Sequence, residues 1–126
     1  MESFKNPINI SNIREKKVLP GILRKTLVYG KKGTMCFFNL KKGSKLPLHN
    51  HSQVQMGYVL SGSLEFFTKK GTFLARAGDS YYFRSDEKHG ANVKENAEVL
   101  DIFIPLREDY LPEEQDYIPS KEHFIP

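Results

Sequence analysis

A chain of 126 residues, 39% hydrophobic and 27% charged, carries enough apolar side chain for one folded core and too much for a disordered polymer. Its formal charge of +4 is spread along the chain as scattered lysine pairs, which argues against the basic stripe of a nucleic-acid binder. One cysteine excludes an internal disulfide framework, no run is long and apolar enough to cross a bilayer, and residues 1–10 lack the apolar run of a signal peptide, so the expectation is a cytoplasmic chain with no membrane partner.

Along the chain from Gly21 to Gly78, glycines or proline-containing turns recur at intervals of about ten residues, and the stretches between them are rich in β-branched and aromatic residues. This spacing predicts a β-sandwich or barrel, with strands over 22–29, 34–40, 55–60, 63–68, 72–75, 80–83, 89–93 and 99–105, after a short turn near 11–15. Lys-Lys-Gly at 31–33, 41–43 and 69–71 reads as the polar tip of successive turns, where glycine supplies a positive φ. Cys36, within the apolar run 34–40, reads as a packing residue, since no activating base stands beside it.

Beyond Arg107 the sequence turns acidic and proline-punctuated, with Pro112, Pro119 and Pro126 among Glu113, Glu114 and Asp116. Residues 1–17 thus read as an N-terminal extension, 18–111 as the barrel and 112–126 as a tail. Tyr110, Leu111, Tyr117, Ile118 and Phe124 give the chain's end the means to dock on the barrel or on a partner subunit, while His123 reads as incidental.

His49 and His51 lie two apart, so on a strand they point the same way with Cα atoms roughly 6.5 Å apart and can share an ion. Gln55 has the same parity, but only a bend at Ser52 and Gln53 brings it to the same place. His89 comes from a separate strand, and a curled sheet is needed to deliver it. An imidazole-rich set of this kind suits one divalent transition metal ion among zinc, nickel, iron, manganese and copper. A His-x-His pair alone reads more often as a polar surface pair than as a metal site.

Here the pair stands in a longer pattern. Gly43, five residues, His49-Asn50-His51, three residues, Gln55, six residues and Gly62 resemble the first motif of the cupin superfamily, with glutamine at the usual glutamate position. Gly78-Asp79, Phe83-Arg84 and His89 resemble the second motif, with Arg84 and Asp86 replacing a proline and a glycine of the loop. The resemblance implies an all-β, single-domain cupin, a double-stranded β-helix or jelly-roll-like barrel, with His49, His51, Gln55 and His89 as metal ligands. Three neutral imidazoles and a neutral amide would leave the ion's charge uncompensated and favour anionic ligands. The other reading of Gln55 is a decayed motif with the amide hydrogen-bonded inside the barrel.

The run from Val99-Leu100-Asp101-Ile102-Phe103-Ile104-Pro105 through Leu106-Arg107-Glu108-Asp109-Tyr110-Leu111 resembles the C-terminal signature of small cupins related to the pectin-degradation protein KdgF. Pro20-Gly21-Ile22, Gln55-Met56-Gly57-Tyr58-Val59-Leu60 and Gly78-Asp79-Ser80-Tyr81 extend the likeness over residues 18–111. In that family glutamine is the usual fourth ligand. The resemblance implies conversion of unsaturated uronates into linear keto-uronates, a small anionic sugar acid as substrate, and a homodimer. It places the acid/base group on Asp101, an aromatic on Phe103 and the carboxylate-binding arginine on Arg107. Asp101 and Phe103 share strand parity and can face one cavity, with Pro105 ending the pairing.

Plainer readings stand beside these: Asp101 as a strand-end charge paired to Arg107, and Phe103 as core. Two other functions also stay open, a three-histidine metal dioxygenase and a non-catalytic metal- or sugar-binding cupin.

Overall fold

The structure is a computed structural model that describes residues 6–118. Eight strands carry the chain: β1 (Lys16–Leu19), β2 (Ile22–Gly30), β3 (Gly33–Leu40), β4 (Lys45–His49), β5 (Val54–Thr68), β6 (Gly71–Arg76), β7 (Ser80–Phe83) and β8 (His89–Ile104). They pair antiparallel in the order β1-β2-β3-β8-β5-β6, with β4 added to β8 and β7 to β5.

The two long strands make the barrel. The first part of β5 lies between β7 and the end of β8, and its second part lies between β6 and the start of β8. Each long strand therefore belongs to two layers that face each other across one core, which is the jelly-roll-like barrel the sequence predicts.

The crossing between layers has a local cause. Gln55, Gly57 and Val59 are buried while Met56, Tyr58 and Leu60 face out, yet beyond Gly62 the inward positions are Leu64 and Phe66. A strand of period two changes parity only by taking up an irregular residue. The β5–β8 register shifts three times between Val59 and Leu64. Gly62 sits there at φ 77°, and a Cβ on it would collide with the carbonyl of Asn96. This bulged bend lets both halves of β5 turn their apolar sides to the same interior, around Val59, Phe83, Phe103 and Cys36.

The expected strands 55–60 and 63–68 are thus halves of β5, and 89–93 and 99–105 are parts of β8. The separation is corrected because a bulge and a turn have similar local composition. β1 and β4 were not expected: their sequences, Lys-Lys-Val-Leu and Lys-Leu-Pro-Leu-His, carry the lysine and proline that edge strands tolerate. The three Lys-Lys-Gly segments do lie at or beside turns.

Near the chain's beginning, Ile10–Asn12 forms a short 3-10 helix capped by the Asn9 side chain, which accepts from the Ser11 backbone N–H. The segment after Arg107 folds back on the barrel. Glu108–Tyr110 and Glu114–Asp116 are single 3-10 turns. Tyr117 bridges to Ile13 and donates its hydroxyl hydrogen bond toward the carbonyls of Thr26 and Leu27, and the buried Asp116 pairs with Lys16 at 3.1 Å. His123, Phe124, Pro119 and Pro126 lie outside the described residues. No helix among the described residues is long and apolar enough to cross a membrane.

Candidate metal centre and cavity

Three elements deliver the histidines. His49 ends β4 and pairs in register with His89, which opens β8. His51 follows on the connection to β5, where Ser52 and Gln53 form the expected bend and place Gln55 on the inward face of β5. Ligand atoms of His49, His51 and His89 all lie within 4.8 Å of one another. Packing fixes the rings: His89 stacks on Phe83 at 4.2 Å between centroids, and His51 meets the edge of Phe103 at 5.5 Å.

Hydrogen bonding sets what these rings present. Nδ1 of His49, His51 and His89 lies 2.9, 2.9 and 2.8 Å from the carbonyl oxygens of Pro47, Gln53 and Glu87. A carbonyl only accepts, so each Nδ1 carries the proton and Nε2 of the neutral ring offers a lone pair. Burial lowers the His89 pKa to about 4 and also lowers that of His51, helped by the Arg107 charge. The Oε1 of Gln55 lies 3.1 Å from Nε2 of both His51 and His89.

These atoms are acceptors facing one another without a donor between them, an unfavourable arrangement that a cation in their midst would satisfy. On donor chemistry the three histidines fit a divalent transition metal, and the Gln55 amide oxygen, 3.1 Å from two of them, would be within reach of the same ion. A decayed site does not explain why all three Nδ1 atoms are held by backbone carbonyls.

Behind the histidines the barrel encloses a cavity lined by His49, Gln55, Tyr81, Asp101, Phe103 and Arg107 among apolar side chains. Asp101 lies within β8, not at its end, and is buried. Tyr81 donates to its Oδ1 at 2.6 Å. Burial pushes the Asp101 carboxyl up from 3.8 to about 6, against the opposing pull of the Tyr81 hydroxyl, the neighbouring Gln55 side chain and the Arg107 charge.

Arg107 does not pair with Asp101. Its Nε donates to Asp109 at 3.0 and 3.3 Å, and its guanidinium lies over the rings of Phe103 and Tyr110 at 4.8 and 3.8 Å. That contact corrects the alternative of an Asp101–Arg107 pair. Phe103 is both core and cavity wall.

Sequence reasoning named no role for Tyr81 or Arg24, and it gave Tyr110 only a role in docking the chain's end on the barrel, not in the cavity. Tyr81 had a readable signal: it lies directly opposite Gly57, where any Cβ would strike the tyrosine ring. A glycine amid large strand residues marks such a close approach.

Comparison with known proteins agrees with this geometry. The cupin domain family matches residues 36–103. The pectin degradation protein KdgF of Dickeya dadantii (strain 3937) is 30% identical over 92 residues, covering 71% of this chain and 84% of that protein. The solved structure of KdgF from Halomonas sp. superposes with a TM-score of 0.78 at 26% identity, over 82% of this chain and 98% of that one. An RmlC-like cupin from Shewanella frigidimarina NCIMB 400 shares the fold with a TM-score of 0.82 at 23% identity, over 87% of this chain and 98% of that one. The described strands, the histidine cluster and these likenesses together make the chain a member of the cupin superfamily, a small single-domain cupin related to the pectin degradation protein KdgF.

Proposed function

We propose that this cupin converts unsaturated uronates, of the kind that pectin or alginate lyases release, into linear keto-uronates. The observation that carries the reading is the meeting of three parts at one cavity: the acceptor cage, a buried carboxyl, and an arginine held over aromatic rings. The relative named for pectin degradation supplies the substrate class.

A divalent ion held by His49, His51, Gln55 and His89 would supply Lewis acidity toward sugar oxygens. The remaining chemistry falls to the chain's own side chains. The reaction is an isomerisation: a hydroxyl proton leaves the anomeric centre as the ring opens, and a proton is added to the alkene carbon as the enol becomes a ketone. Asp101 is the group proposed to move that proton, which is supported by its lining the cavity and by the lone pairs its carboxylate keeps beyond the one bond from Tyr81. Arg107 can grip the substrate carboxylate through its terminal nitrogens while Nε stays on Asp109. Phe103 closes the wall beside His51 and keeps water from the reacting bond.

The test is loss of the ultraviolet band of an unsaturated uronate monosaccharide, run beside an oxygen electrode. Band loss without oxygen uptake is expected, and Asp101→Asn should lower kcat by about 10²–10⁴-fold while keeping fold and metal. Oxygen uptake would replace this reading with the dioxygenase. Silence in both assays would leave a binding protein.

A further inference from the structure

Arg24 is a buried cation beside the cavity, with no counter-ion among the described residues. It lies on the inward face of β2, two residues after Ile22 and opposite Phe38 of β3, and it stands next to the lining residues Ile22, Phe38 and Tyr110 without being part of the lining itself. The residue is only 9% exposed, its Nε has no hydrogen-bond partner, and among the described residues it forms no ion pair. What it meets is the Tyr110 ring, with Cζ 4.5 Å from the centroid. Arg107 meets the same ring at 3.8 Å, so the two guanidinium carbons are no more than about 8 Å apart.

The two arginines differ in one respect: Arg107 has Asp109 at hand, and Arg24 pairs with no carboxylate among the described residues. A buried charge left unpaired is costly, and packing against Tyr110 alone could be met by an uncharged side chain. Two like charges this close in a poorly hydrated wall also repel, and an entering anion relieves both penalties. Tyr110 is itself held in place, because Thr26 donates to its carbonyl at 2.6 Å and its ring meets the edges of Phe38 and Phe103.

We propose that Arg24 is a specificity-determining residue: with Arg107, across Tyr110, it gives the cavity a positive collar that selects small sugar acids over neutral sugars. The proposal rests on the uronate reading for its ligand class, but its test does not require turnover.

Metal-loaded wild type, Arg24→Gln and Arg24→Lys are compared by calorimetry with galacturonate and with galactose, and by uronate kinetics. With the carboxylate on Arg107, a second unit charge acting over roughly 8–12 Å at an effective dielectric near 20 is worth on the order of tenfold to thirtyfold in affinity. Arg24→Gln should lose that factor for galacturonate and none for galactose, with metal content unchanged. KM should rise by the same factor at constant kcat, and Arg24→Lys should recover most of it.

Wild-type affinity for galacturonate in Arg24→Gln overturns the proposal, as does a lysine variant as impaired as the glutamine one, which would mark a packing role. A wild type with no preference for the acid overturns it too. Arg24-dependent galacturonate binding without uronate turnover would sink the reaction proposed above and leave this inference standing.

Discussion

At the scale of single residues, Gln55 explains most of the site. Its amide turns Oε1 to the histidines, and the same side chain pulls the Asp101 pKa down, so one residue borders both the acceptor cage and the acid/base candidate. A glutamate there has no N–H for Asp101 and would set a second carboxylate beside it, raising the Asp101 pKa further. The amide also leaves the ion's charge uncompensated, which suits an anionic substrate. Tyr81 completes the arrangement, since its 2.6 Å bond holds Oδ1 and fixes the orientation of the carboxyl group. Tyr81→Phe should therefore lower kcat on the order of tenfold, the worth of a hydrogen bond to a charged acceptor, with KM and metal content unchanged. Steady-state kinetics decide this, and an unaltered kcat would reduce Tyr81 to packing.

At the scale of elements, what was legible followed the strand period. Asp101 and Phe103 could be placed in one cavity because they are two apart on a strand, and the bend between His51 and Gln55 could be placed because a straight strand cannot close that gap. The histidine spacing and the two glycine-bounded motifs marked the metal residues and the barrel. The parity change at Gly62 was not legible, because its cause is the approach of Asn96 from a strand over thirty residues away. The contact of Arg24 with Tyr110 was missed for a similar reason. The aromatic residues after β8 signalled that the chain's end could dock on the barrel, but no local pattern records that it returns across β2, where Thr26 ties down the Tyr110 carbonyl. The edge strands β1 and β4 escaped because charge and proline at an edge mimic a loop.

At the scale of the whole molecule, the outer side of the barrel carries an apolar row. Tyr82, Met56, Ile102, Met35 and Val28 are register partners across five neighbouring strands, and Tyr58, Leu60 and Ile104 extend the face, with Met56, Tyr58, Leu60 and Tyr82 all 43–54% exposed. Five strands span about 19 Å across this face. A broad sheet face of this size, rimmed by Ser80, Lys25 and Glu98, suits a second copy of itself. We expect a two-fold dimer through this face, converted to monomer by Met56→Lys with Tyr58→Glu while metal binding persists. Light scattering on the eluting protein checks it, and a monomeric wild type would contradict it. The reaction, the selectivity and the role of Gln55 all presuppose an ion among His49, His51, Gln55 and His89. Elemental analysis of purified protein tests this most directly. The expected result is about one divalent transition metal per chain, abolished in the folded His49→Ala, His51→Ala double variant. Equal metal in wild type and variant, or none in wild type after incubation with zinc, nickel, iron, manganese and copper in turn, would contradict it.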